Sequence, residues 1–409
     1  MRSTALLMLA LSLSACGDPA PPAGQDSSIV DQLAPAPDGF PASDAGLADG
    51  STAGTCPTGA AFDVSLRKVL LTAFVDGDGP YKLIYDTGAP STVLSPTITG
   101  AATGAMHTVT TIDLGDGVKI GPVNAYTYPM SPYFDGIIGN DAIGKRAVSI
   151  DYPRRRLWVS DEAREADLLA CAHLEGKPAR SPITVAPYPF VQGEVDGVAG
   201  TLLVDTGASL GGVEQGVLDS TGKGNPQIDG YKMTISLGTF WSGYTMVGRM
   251  SVGKHSVKRI TMYTMPDASL PKPTSGSTLA TLPYGFMQHF LVTLDFGAME
   301  LRLDAGKTAK LVDDFVLYGY GLSLSTNTSG PVTVTRVISG SPADLSGIEK
   351  GDTVQAVDGA DPASTAPEGR INLVLVSKPG TPRGFRVLHA GVAADHALVA
   401  ADLFGGFAP

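Results

Sequence analysis

Two aspartates stand at the ends of matching apolar runs. One run reads YKLIYDTGA and places Asp86; the other reads GTLLVDTGA and places Asp205. Aspartate is a poor strand residue, and a carboxylate at the rim of a core is costly to bury. One such aspartate reads as a turn. Two in matching contexts read as a pair of carboxylates with a shared task. Held close together, they cannot both ionise easily, so they share a proton and their titrations split. The ionised member can then take a proton from water while the other gives one to a carbonyl oxygen. That is acid–base hydrolysis with no covalent intermediate.

The neighbours of each aspartate fit the same task. Gly88 and Gly207 let the backbone turn sharply and let a second backbone approach. Thr87 and Thr206 each offer a hydroxyl to a buried backbone group, and Ala89 and Ala208 keep bulk away from the carboxylate. Asp151 and Asp295 fall in hairpin turns and are expected to be structural.

The elements that must position the pair are written twice. AFVDGDGPYKLIYDTGA parallels GEVDGVAGTLLVDTGA: a strand, a Val-Asp-Gly turn, a strand and the motif. VSIDYPRRRLWVS parallels VTLDFGAMELRLD, each a β-hairpin with an Asp-aromatic turn. Short β-type runs between turn signals fill the rest, and the 50 glycines and 30 prolines favour turns over long helices. A repeat this long is a duplicated domain. The expected division is 56–170 for a first lobe and 171–312 for a second, with a polar joint near 160–177.

These halves resemble retropepsin-type aspartic proteases fused in one chain. The resemblance rests on IYDTGA, LVDTGA and DGIIGNDAI and covers about residues 61–303. It implies a mostly β fold: two retropepsin-like β-barrel lobes forming an intramolecular pseudo-dimer. It also implies Asp86 and Asp205 as the catalytic pair, with Thr87 and Thr206 locking the two loops together. The second half departs from the pattern. LPYG answers Ile137-Ile138-Gly139, which matches Gly285 to Gly139, and ASLGGVE replaces APSTVLS. Those departures favour an alternative, a catalytically weak or inactive protein that binds peptides on the same lobes. Tyr244 and Trp241 are the candidates for a flap over the cleft.

The last hundred residues carry another signature. SGSPADLSGIEKGDTVQAVDG resembles the middle of a bacterial PDZ domain, an α+β module expected over 313–395 with a tail at 396–409. The resemblance implies capture of a peptide as an added strand, its terminal carboxylate in a nest of backbone N–H groups. The nest maps to Gly319, Tyr320, Gly321 and Leu322. A helix is expected near EGRINLVLVSK.

The first sixteen residues pair Arg2 with a short apolar core and end in Leu13-Ser14-Ala15-Cys16, which resembles a bacterial lipobox. It implies an exported protein, lipidated at Cys16 and anchored to a membrane. Gly17 after the cysteine favours the outer membrane, facing the periplasm or the cell surface. Residues 17–55, rich in Pro, Ala, Gly, Ser and Asp, read as a flexible tether. Cys56 and Cys171 remain in a compartment that permits disulfides, and they are expected to pair. The net charge of −11 gives no basic footprint for nucleic acid. The six histidines are scattered, so neither a metal nor another cofactor is expected. The expected partner is a polypeptide substrate, and the expected state is a monomer.

Overall fold

The computed structural model describes residues 59–130, 132–160, 179–185, 187–235, 238–306, 311–313 and 315–405. The fold is mostly β, in two barrel-like lobes and a C-terminal α+β unit.

The duplication is visible strand by strand. In the first lobe Val69–Val75 pairs antiparallel with Asp78–Tyr85; in the second Pro189–Val195 pairs with Val198–Val204. Each hairpin turns on an aspartate with positive φ, 51° at Asp76 and 49° at Asp196, followed by glycine. Aspartate tolerates that region because its short side chain can bond backbone nearby. Here it does more. Asp76 Oδ1 accepts the N–H groups of Thr110 and Thr111 (2.9 and 2.8 Å), and the Asp196 carboxylate accepts those of Gly248 and Arg249 (both 2.9 Å). The turn of each hairpin is thus tied to a later segment of its own lobe.

The lobes join through a continuous sheet. Ala147–Asp151 and Phe290–Asp295 are buried along their whole length and pair antiparallel, Ser149 opposite Thr293. The hydroxyls of that central pair lie 2.8 Å apart, where the pseudo-twofold axis relating the lobes must pass. The hairpin partners Arg156–Ser160 and Glu300–Ala305 flank them, and Ala60–Asp63 and Ala179–Val185 close the two edges. One apolar core includes Leu71, Ile150 and Leu157 from the first lobe and Leu202, Val292 and Leu301 from the second. Burial of this kind yields about 25 cal/mol per Å² of apolar surface, so the shared core opposes separation of the lobes. Asp151 and Asp295 are structural, as expected. Each accepts a turn N–H, from Arg154 (3.0 Å) and Ala298 (2.8 Å), and Arg302 pairs with Asp295 at 3.0 Å.

The lobes differ in one element. After the short helix Pro96–Thr99 the first lobe reaches its next strand at Met106. After Gln215–Thr221 the second lobe first builds the long strand Gln227–Ile235, which pairs with the first half of Gly238–Val252. Only the second half of Gly238–Val252 has a first-lobe counterpart. Met250 pairs with Val195 as Ile112 pairs with Val75. The hairpin over 227–245 is therefore an addition to the duplicated plan.

The C-terminal unit is docked on the second lobe. Leu210, Ile228, Tyr244 and Met246 of the lobe share an apolar cluster with Leu317, Leu322, Leu324, Ile371 and Val374. The expected helix near residue 370 is short: a 3₁₀ turn Pro367–Gly369, then Ile371–Val374, then a strand at Leu375. The unit also runs further than its expected end at 395. Val392–Val399 pairs with Pro382–His389, and Ala401–Asp402 pairs with Tyr318–Gly319, so residues 396–399 and 401–402 of the expected tail are strand. Cys16, Cys56, Cys171, the tether and the polar joint lie outside the described residues.

Candidate active site

Both aspartates sit where their sequences place them, at the ends of buried strands. The last three residues before Asp86 (Leu83, Ile84, Tyr85) pair parallel with Gly136–Ile138. Leu202–Val204 pairs parallel with Ala280–Leu282. The partner strand then takes the aspartate's own N–H: Asp86 donates to Ile138 O at 3.1 Å and Asp205 to Leu282 O at 3.4 Å. Each chain then turns tightly, Ala89 N–H donating to Asp86 O and Ala208 N–H to Asp205 O.

The two loops lock reciprocally through their threonines. Thr87 Oγ1 donates to Val204 O (2.7 Å) and accepts the Thr206 N–H (3.0 Å). Thr206 Oγ1 donates to Tyr85 O (2.8 Å) and accepts the Thr87 N–H (3.0 Å). Both threonines are buried, so each hydroxyl satisfies two backbone groups that water cannot reach. Thr87 O in turn accepts from the Asn140 side chain at 2.8 Å.

The lock brings the carboxylates over each other's loops. Asp86 Oδ1 accepts the Gly88 N–H (2.7 Å) and Asp205 Oδ1 the Gly207 N–H (2.9 Å). A Cβ built on Gly88 would fall 2.6 Å from the carboxyl carbon of Asp205, and one on Gly207 would overlap the Asp86 carboxyl. The glycines are required by close approach, not by turn conformation. Each carboxyl thus lies against the other aspartate's loop, which brings the two acids together. Burial first, then the Asp86 charge, push Asp205 well above the usual carboxylate range, against the opposing charge of Lys68. The pair therefore keeps a proton where isolated aspartates would have lost theirs.

Three nearby residues were not singled out from the sequence. Lys68 donates its ammonium to Gly207 O beside the pair. Tyr188 is mostly buried, and burial and both aspartates push its hydroxyl up. Arg67 donates to Ser209 O (3.3 Å), pairs with Asp313 (2.8 Å) and lies 4.9 Å from the ring centres of Tyr284 and Phe315. It joins the first lobe, the second aspartate's loop and the segment leading into the C-terminal unit. No local pattern in "SLRKVLL" marks Arg67 and Lys68, because their partners lie over a hundred positions away.

The departures in the second half are linked. Asn140 N–H donates to Ala89 O, and Tyr284 N–H donates to Ala208 O, so Asn140 and Tyr284 are equivalent. The counterpart of Gly139 is then Pro283, and the expected match with Gly285 is corrected by two residues. Gly139 is forced in the first lobe because a Cβ there would lie 2.6 Å from Ser91 O. Thr92 holds that turn, accepting the Gly139 N–H (3.2 Å) and donating to Asp141 (2.7 Å). In the second lobe Gly211 takes the Thr92 position. A Cβ on it would meet Pro283 Cβ at 3.1 Å. Proline in one loop and glycine in the other exchange places, and the aspartate's position is unchanged.

The two flap candidates differ in exposure. Tyr244 is buried against Tyr263 (5.2 Å between rings) in the cluster shared with the C-terminal unit, while Trp241 is exposed on the added hairpin. In the expected carboxylate nest, Gly319 lies in a strand and Gly321 has φ +83°. The Tyr320 N–H already donates to Val374 O at 3.1 Å, and its hydroxyl to Thr381 O at 3.2 Å. Leu322 is fully buried. Among the described residues no cluster of three His, Cys, Asp or Glu is placed to hold a metal ion.

Comparison with known proteins gives a family match for the C-terminal unit and matches among solved structures. Residues 310–381 match the PDZ domain family. Among solved structures, the aspartic proteinase from Irpex lacteus aligns with a TM-score of 0.40 and 13% identity, covering 60% of this chain and 96% of that one. No curated protein matches the sequence.

Proposed function

We propose that the chain is an aspartic-type endopeptidase in which Asp86 and Asp205 together activate one water. The observation that carries this reading is the reciprocal threonine lock, which holds the two carboxyls against each other's loops at the junction of the lobes. The ionised carboxylate accepts a proton from water as the water attacks the peptide carbonyl. The protonated carboxyl donates to the carbonyl oxygen, and the resulting gem-diol collapses with proton transfer to the leaving amine. The Gly88 and Gly207 N–H groups hold one oxygen of each carboxylate, fixing the orientation of both acids. Both aspartates come from one chain, so the site is complete in a monomer. The substrate is an extended polypeptide, the PDZ domain recruits it, and Cys16 carries the lipid that anchors the exported protein.

The test is cleavage of an unfolded protein by the chain lacking its first sixteen residues. A statine-type peptide, which mimics the gem-diol, should block cleavage at concentrations far below those of substrate. Cleavage that persists under saturating inhibitor, or that a metal chelator abolishes, would defeat the assignment.

A further inference from the structure

The PDZ domain presents one strand, Leu322–Leu324, that pairs on one side only, with Val334–Val337. An incoming peptide would add to its other side, facing the helix Ile371–Val374. That side is covered. The root of the added hairpin, Gln227–Gly230, lies across it. Asp229 N–H donates to Ser323 Oγ at 2.9 Å. Arg336, on the adjoining strand, pairs with the Asp229 carboxylate at 3.0 Å and donates to Gln227 Oε1 at 2.6 Å. Ile228 is fully buried in the cluster that holds Leu322, Leu324, Ile371 and Val374. Gly230 adopts φ +112°, and a Cβ built on it points into the groove, 3.9 Å from Ile371 Cβ and 4.0 Å from Leu324 O.

We infer that the PDZ groove is occupied by the chain's own Gln227–Gly230 segment, which an incoming polypeptide must displace. The segment has the attributes of a PDZ ligand: extended backbone, one buried aliphatic side chain, and polar groups bonded to the strand beside it. It differs in lacking a terminal carboxylate and a backbone ladder to that strand, its bond there being to the Ser323 hydroxyl, and the Tyr320 N–H of the nest is satisfied internally by Val374 O. The occupant is also the root of the hairpin that the second lobe adds to the duplicated plan. Peptide capture and movement of that hairpin are then a single equilibrium, and whatever fixes the hairpin weakens capture by the same factor.

The geometry supplies a direct test that does not depend on hydrolysis. The built Cβ–Cβ separation of 3.9 Å between positions 230 and 371 is within the range of a disulfide. In a Gly230→Cys, Ile371→Cys protein, the binding of a short fluorescent peptide with a free apolar C-terminus is followed by anisotropy. Wild type with its native cysteines is the control. The oxidised form should lose peptide binding, reduction should restore it, and wild type should not respond to reductant. Equal binding in both redox states, or no binding even when reduced, would overturn the inference. The positive φ at position 230 strains any side chain placed there, so if the pair does not close the Asp229→Ala result below decides. A milder variant guards against misfolding. Asp229→Ala removes an exposed ion pair from the occupant alone, and should tighten peptide binding by about two- to five-fold. Unchanged affinity counts against self-occupation. Failure of the endopeptidase reading would appear separately, as absent hydrolysis with these binding shifts intact.

Discussion

Replacing Thr206 by valine keeps the shape of the side chain and removes its hydroxyl. Two buried backbone groups lose their partner, Tyr85 O at 2.8 Å and the Thr87 N–H at 3.0 Å. Each unpaired buried group costs about 1–3 kcal/mol. Valine offsets part of this, because a methyl in place of a hydroxyl regains about 1 kcal/mol of apolar transfer. The net loss expected is about 1–5 kcal/mol, large for one atom. Thr87→Val should cost a similar amount, because Val204 O and the Thr206 N–H depend on it in the same way. Thr206→Ser keeps the hydroxyl and should retain most of the stability. Urea denaturation with unchanged m-value reads these differences through the midpoint. A loss below about 1 kcal/mol for Thr206→Val, or an equal loss for Thr206→Ser, would refute the account of the lock.

Three further outcomes follow from the same contacts. Gly207→Ala drives a methyl into the Asp86 carboxyl, so it should abolish hydrolysis, while Ala208→Gly in the same loop should preserve it; equal activity of the two would contradict the geometry. Asp205 has a raised pKa in the fold, so its contribution to stability is fully present below the ordinary aspartate value near 3.9 and is lost as pH rises through the raised value. Asp205→Asn should therefore gain on wild type as pH increases above about 4 and converge with it below; a pH-independent difference would contradict this. Cys56 and Cys171 should both be blocked in denatured, unreduced protein, with reduction costing at most about 4–5 kcal/mol, and labelling of both thiols without reductant would end that expectation.

The sequence made the framework legible because the framework is local and repeated. The Val-Asp-Gly turns, the apolar strands ending in Asp86 and Asp205, and the paired hairpins around Asp151 and Asp295 are each encoded within a dozen residues. Pairing two copies supplied the long-range contact. The threonine lock could be anticipated for the same reason, since Thr87 and Thr206 follow the aspartates directly. What stayed hidden depends on distant partners. Arg67 meets Ser209 and Asp313, Lys68 meets Gly207, and Ile228 joins a cluster with Ile371. The loss of Thr92's equivalent looked like degeneration in the sequence. In three dimensions Gly211 makes room for Pro283, which is compensation rather than decay. Tyr244, a flap candidate in the sequence, serves packing: it is buried in the cluster shared with the C-terminal unit.

The central claim is that neither carboxyl works alone. Its most direct test is the rate of peptide hydrolysis by Asp86→Asn, Asp205→Asn and the double variant, each checked for native stability at the pH of assay. Asparagine keeps the acceptor for the Gly88 or Gly207 N–H but cannot share the proton. Each single change should lower kcat/KM by on the order of a thousandfold, and the double change should add almost nothing. A single variant that keeps most of its activity, or a double variant whose loss is the product of the two single losses, would contradict the account.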